Sequence, residues 1–209
     1  MINVVIADDH TMVRHGLKQI LDAESEIAVV GEAQSGDEVL DLVRGQNVDV
    51  IVLDITMPGK NGLETLKELR RIKPEISVIV LSMHPKDQYA VRVLKAGAAG
   101  YISKESAPDE LVSAIRKASL GEKYIGPDVA ELLANYIERG VSDEPHKMLS
   151  DREYEVLRHI ASGKGITQIS EMMDLSVKTI STYRSRIVSK TGLASNAEMT
   201  RYAIEHSLI

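Results

Sequence analysis

The chain has no cysteine, which removes disulfide frameworks and thiolate metal sites at once. No apolar run approaches the roughly 20 residues that a membrane-spanning helix needs. The opening residues MINVVIADDH lack a basic segment followed by a long apolar one, so they do not read as a signal peptide. The expected location is the cytoplasm, with no membrane partner. There is no internal repeat and no low-complexity tract. The positive excess usual in a nucleic-acid binder is also missing from the chain as a whole, whose net charge is -6. That last absence is uneven along the chain. Residues 1–145 carry 16 Lys and Arg against 24 Asp and Glu, whereas residues 146–209 carry 9 against 7. Such asymmetry points to two parts with different partners.

What is present is the composition of an ordinary globular protein, 44% hydrophobic and 27% charged over 209 residues. That length suits one large domain or two small ones. Short β-branched runs occur at residues 2–7, 27–32, 49–54, 77–82 and 100–103. Each is apolar and bounded by polar residues or Gly, as buried parallel strands are. Between them lie amphipathic helical patterns. In MVRHGLKQILDA, for example, Val13, Leu17, Ile20 and Leu21 share one face. Five strand–helix units in a row predict a doubly wound α/β domain on a parallel sheet. VAELLANYIERG reads as one more helix, and the polar GVSDEPHKM (140–148) as a linker. After it come four helical patterns and no strand. Ser150 with Glu153 forms a capping box at the first of them.

The stretch VDVIVLDITMPGKNG (48–62) places an acid, Asp54, at the tip of a buried strand. In open α/β sheets, ligands sit beyond the carboxyl ends of the strands. The first strand ends in ADDH, so Asp8 and Asp9 reach the same edge. Ser82 ends the fourth strand, and Lys104 follows the fifth. Three carboxylates brought together repel and call for a cation. With oxygen ligands and no Cys, that cation is a hard ion such as Mg²⁺.

In order and spacing, ADDH, LDITMPGKNG, VLS and GYISK resemble the receiver domain of two-component response regulators, over about residues 1–121. The resemblance implies a flavodoxin-like five-stranded fold. It implies that Asp54 accepts a phosphoryl group from a phosphohistidine on a sensor histidine kinase. Asp9, Asp54 and the backbone carbonyl of Thr56 would hold Mg²⁺, with Asp8 assisting through water. Lys104 would pair with the phosphoryl oxygens, and Ser82 would hydrogen-bond one of them. Ser82 and Tyr101 match the receiver's switch pair. The chemistry agrees, because phosphoryl transfer needs mainly positioning and charge neutralisation.

The C-terminal segment from LSDREYEVL to KTGL resembles the LuxR-type helix-turn-helix domain, over about residues 147–209. The domains then run 1–121, 122–146 (a linker helix and linker) and 147–209, the arrangement of NarL/FixJ-type response regulators. Ser176 can N-cap the third helix. Val177, Ile180, Ile187 and Val188 fall on its inward side. Lys178, Ser181, Thr182, Ser185 and Ser189 face away, with Arg184, Arg186 and Lys190 beside them. Between 176 and 190 there are four basic residues and no acid. Cations for phosphates and small hydroxyls for base edges suit a helix entering the major groove of double-stranded DNA. The expected contacts are Lys178, Thr179, Ser181, Thr182, Arg184, Ser185, Arg186 and Lys190. Many relatives carry a basic residue where this chain has Ser181 and His where it has Tyr183, which implies weaker direct base readout.

The expected function is transcription control by phosphorylation of Asp54, acting through a homodimer and without enzymatic turnover of an outside substrate. Two other readings follow from the same residues. In one, the receiver binds protein partners and the C-terminal helices touch no DNA. In the other, Asp54 is the nucleophile of a haloacid-dehalogenase-type phosphatase, but that family's second Asp falls on Thr56 here.

Overall fold

The computed structural model describes residues 1–83, 86–139 and 145–209, with the backbone alone for 86–88 and 135–139. It divides into two compact units, Met1–Glu138 and Arg139–Ile209. Of the expected linker 140–148, residues 140–144 lie outside the described residues, and Pro145–Met148 form a short 3-10 turn.

The first unit is built on five parallel strands: β1 (Ile2–Ala7), β2 (Ile27–Ala33), β3 (Val50–Asp54), β4 (Ser77–Ser82) and β5 (Gly100–Ser103). Their order across the sheet is β2-β1-β3-β4-β5. The chain runs outward from β1 in both directions, so the β1/β3 pair is the point where the order reverses and where such folds hold their ligands. All five residues of β3 are buried. This explains why VIVLD shows no polar alternation: helices cover both faces of the strand.

Those helices are α1 (Thr11–Asp22), α2 (Gly36–Gly45), α3 (Gly62–Ile72), α4 (Lys86–Lys95) and α5 (Ala107–Ser119), followed by α6 (Pro127–Arg139). On one face, Val4, Ile6, Val50, Val52, Ile79 and Leu81 pack against Leu17 and Leu21 of α1 and Leu111 and Ile115 of α5. Each large side chain buried there contributes roughly 2 kcal/mol. Ala107, Ala114 and Ala118 join the same cluster, and their small size lets α5 lie close to the strands. The buried stripe of α1 is Arg14, Leu17 and Leu21, with Val13 and Ile20 only half-buried at its margins. The helix is therefore rotated from the expected stripe, and it buries a cation.

The second unit is helical, as expected. It comprises α7 (Asp151–Ala161), α8 (Ile166–Met172), α9 (Val177–Thr191) and α10 (Asn196–Glu205). The capping box predicted at Ser150 is formed in both directions. Val156, Leu157, Ile169, Ile180, Ile187, Met199 and Ala203 are fully buried and form the small core. Helix α9 ends at Gly192, which adopts φ 75° so that its N–H can bond Val188 O. Other residues reach that left-handed conformation only with strain.

Candidate phosphoacceptor site and nucleic-acid interface

The parallel register brings three strand ends to one spot. Asp54, the last residue of β3, pairs with Leu81 of β4, and Ser82 pairs with Ser103 of β5. Asp8 lies one residue beyond β1. Asp8 and Asp54 are 1% and 2% exposed, and Ser82 is fully buried. Lys104 Nζ lies 2.8 Å from Asp54 Oδ2 and 2.6 Å from Asp8 Oδ2. One ammonium thus bridges two buried carboxylates. Its own burial works against its charge, but the two acids outweigh that and raise its pKa. Burial pushes the Asp54 carboxyl up to about 6, with Lys104 pulling it down in part and the Asp8 charge adding to the rise.

Local sequence explains why these groups hold their places. Gly62 begins α3 directly against the Asp54 backbone, and a Cβ there would stand 2.0 Å from Asp54 O. Only glycine permits that approach. Asn61 caps α3 by accepting the Glu64 N–H at 2.9 Å, which fixes the far end of the TMPGK loop. A backbone hydrogen bond from Thr56 reaches the Asp54 carboxylate. On the β1 side, the buried Arg14 donates from Nη1 to Asp8 O at 2.7 Å, from Nη2 to Thr11 Oγ1 at 3.3 Å and from Nε to Glu32 at 3.3 Å. This guanidinium ties the chain after β1 to α1 and β2.

Asp9 is more open, with its side chain 32% exposed. Asp8, Asp9, His10 and Asp54 each bring one ligand atom within 4.8 Å of the others. The buried atoms Asp8 Oδ2 and Asp9 Oδ1 are each held by a neighbouring nitrogen and not by a backbone N–H. Lys104 stands beside the former, and His10 Nδ1 is 2.6 Å from the latter. A set of clustered carboxylate oxygens with no thiolate among them fits a hard divalent ion. Tyr101 is 1% exposed in β5, beside Val80.

Two residues here escaped the sequence reading. His10 was part of ADDH but received no role. Arg14 carried a signal, since a cation sat where the helical period puts core, three before Leu17 and seven before Leu21.

In the second unit, Ser176 caps α9 by accepting Thr179 N–H at 3.1 Å, and its hydroxyl lies 2.8 Å from Thr179 Oγ1. Ile180 and Ile187 are buried as expected. Val188 is half-buried, but Val177 is 47% exposed. It is the first residue of the helix, directly after the cap. Lys178, Ser181, Thr182, Ser185, Arg186, Ser189 and Lys190 are exposed. Two of the expected DNA-contacting cations are engaged within the unit. Lys190 Nζ reaches the buried Glu153 Oε2 at 2.6 Å, and Arg184 Nε donates to Asn196 Oδ1 at 3.2 Å. No helix of the described residues is long and apolar enough to cross a membrane.

A buried acid pocket at the switch point of a doubly wound sheet, followed by a helix-turn-helix unit, defines a two-component regulator. The response regulator receiver domain matches residues 4–116, and the LuxR family of bacterial regulatory proteins matches residues 147–203. The chain belongs to the response regulators of this receiver-plus-LuxR type. It is similar to response regulator UvrY of Escherichia coli (strain K12), 40% identical over 209 residues, covering 100% of this chain and 96% of that protein. It is also similar to response regulator GacA of Pseudomonas aeruginosa, 37% identical over 210 residues, covering 100% and 98%. Among solved structures it resembles RcsB from Salmonella enterica serovar Typhimurium bound to promoter P1flhDC in the presence of the phosphomimetic BeF3-. That match has a TM-score of 0.67 and 31% identity, covering 96% of this chain and 97% of that one.

Proposed function

We propose that Asp54 is the residue whose phosphorylation by a sensor histidine kinase controls this regulator, and that α9 is the helix that meets DNA. The observation that supports this most is the Lys104 ammonium bridging Asp8 and Asp54, both buried, at the point where the strand order reverses. A carboxylate oxygen of Asp54 attacks the phosphorus of a phosphohistidine. The new P–O bond forms as the P–N bond breaks, and its electron pair returns to the imidazole. Lys104 stands where the transferred group's negative charge arrives. Asp9, Asp54 and the Thr56 carbonyl would hold Mg²⁺, and Asp8 would act through water; the ion supplies further charge neutralisation. The buried Ser82 hydroxyl then follows the phosphoryl oxygens, and Tyr101 shifts with it. That movement biases the surface around α4, β5 and α5 toward a homodimer competent for DNA.

The division of labour follows the domains. Residues 1–121 receive the phosphoryl group, 122–146 connect, and 147–209 bind double-stranded DNA. Lys178 and Arg186 meet phosphates, with Thr179, Ser181, Thr182 and Ser185 nearer the bases. RcsB bound to a promoter with a phosphomimetic supports the same use of both halves here. The chain acts as a switch and handles its own aspartyl phosphate, without turning over an outside substrate.

The test is intact-mass analysis after acetyl phosphate and Mg²⁺. Wild type should gain one phosphoryl group that is lost at high pH, and Asp54→Asn should gain none. An Asp54→Asn protein phosphorylated to the same extent refutes the assignment.

A further inference from the structure

The exposed face of α9 carries three hydroxyls bonded back to the helix's own backbone. Ser181 Oγ donates to Val177 O at 2.9 Å, Thr182 Oγ1 to Lys178 O at 2.9 Å and Ser185 Oγ to Ser181 O at 3.0 Å. Each bond returns one helical turn to the backbone. A hydroxyl has one proton and two lone pairs. Here the proton is committed within the helix at all three positions, and the lone pairs remain for whatever the face meets. All three residues are exposed.

We infer that Ser181, Thr182 and Ser185 read DNA as hydrogen-bond acceptors, selecting base pairs by the amino groups of adenine and cytosine in the major groove. This rests on the DNA-facing role of α9 proposed above. Phosphate oxygens, guanine O6 and N7, thymine O4 and adenine N7 all accept and donate nothing. A back-bonded hydroxyl has no proton to give them. The donors in the major groove are the adenine N6 and cytosine N4 amino groups. An outward proton is available only if the intrahelical bond is given up, so an approaching acceptor is disfavoured at each of the three positions. The adjacent cations have the opposite chemistry. Lys178 and Arg186 are exposed, donate only and suit phosphate or guanine. The helix therefore offers acceptors and donors from different residue types, and the selected sequence depends on where the hydroxyls lie.

The test uses the full chain with acetyl phosphate and Mg²⁺. Tight-binding duplexes are selected from a random pool. Single adenines are then replaced by purine, and single cytosines by 2-pyrimidinone, each lacking the amino group. Guanine to 7-deazaguanine is the acceptor control. At sensitive positions, loss of one amino group should lower wild-type affinity about three- to tenfold. That loss should disappear in whichever of Ser181→Ala, Thr182→Val or Ser185→Ala lacks the facing hydroxyl. Lys178→Ala, measured in parallel, should weaken binding to all these duplexes alike. If the hydroxyl variants stay as sensitive to every amino deletion as wild type, or couple instead to 7-deazaguanine, the acceptor inference falls while the interface stands. If Lys178→Ala leaves both affinity and its salt dependence unchanged, or no duplex is selected, the DNA-facing role of α9 fails, and this inference with it.

Discussion

Without a divalent ion, the Asp54 carboxylate is held charged against its surroundings. Burial moves its carboxyl from 3.8 up to about 6 despite the neighbouring Lys104. At about 1.4 kcal/mol for each pH unit, that charge costs the folded receiver on the order of 3 kcal/mol at neutral pH. A raised acid keeps its proton in the fold after the unfolded chain has released it. The penalty is thus absent below pH about 4, grows as pH rises and is complete above about 6. Asp54→Asn removes the charge and keeps the shape. It also leaves Lys104, whose side chain is 8% exposed, with Asp8 as its remaining carboxylate partner, which returns about 1 kcal/mol of the gain. The expected net stabilisation at pH 7.5 in EDTA is about 2 kcal/mol, and the receiver's melting transition should rise by about 8 °C. Scanning calorimetry at pH 7.5 and pH 5 reads both values, and the advantage should shrink by more than half at the lower pH. An Asn variant no more stable than wild type at pH 7.5, or one with the same advantage at pH 5, would refute the account of a strained acid pocket.

Three further outcomes are expected. Asp9→Ala should lower the affinity for Mg²⁺, read as the thermal shift of the receiver on titration, by about tenfold or more, since a ligand and a charge are lost; an unchanged titration removes Asp9 from the ligand set. Lys190→Ala should destabilise the C-terminal unit by about 1–2 kcal/mol in urea, because Glu153 loses its partner while keeping the Ser150 N–H bond. It should leave the salt dependence of DNA binding nearly as in wild type, whereas Lys178→Ala should flatten that slope by about one. His159 is pushed down to about 4, by burial first and then by Lys164 and Arg158. The unfolded chain takes up this proton first as pH falls, so stability of the C-terminal unit is complete above pH about 6.5 and is lost progressively toward 4. His159→Gln should remove on the order of 2 kcal/mol of that acid loss, measured by urea unfolding at pH 7 and 4.5; an unaltered pH dependence would show that the ring titrates freely.

Much of the site was legible because a parallel sheet turns sequence position into geometry. An acid after a buried β-branched run must stand at the ligand-binding edge, so Asp8, Asp54, Ser82 and Lys104 could be placed together from strand ends alone. The inward face of α9 was legible in part from its period: Ile180 and Ile187 are buried as the spacing requires, whereas Val177 is exposed. What could not be read were partners chosen by long-range packing. Glu153 and Lys190 are separated by 37 residues, and nothing local marks one as the other's counter-ion. The Arg14 contact with Asp8 O depends on the rotation of α1 against the sheet, which the margin residues Val13 and Ile20 left ambiguous by one position. Likewise, the period located the hydroxyls of α9 but could not say that their protons point inward along the helix.

The bridge from Lys104 to Asp8 and Asp54 has a consequence for the chain as it is made. Its parts come from the ends of β1, β3 and β5, and Lys104 lies 50 residues beyond Asp54. A nascent chain that ends just after Asp54 lacks the cation that completes the bridge. The bridge therefore forms only once β5 has joined the sheet. A receiver that lacks β5 presents Asp8 and Asp54 without their shared counter-charge, so the ion pair itself reports that the sheet is complete.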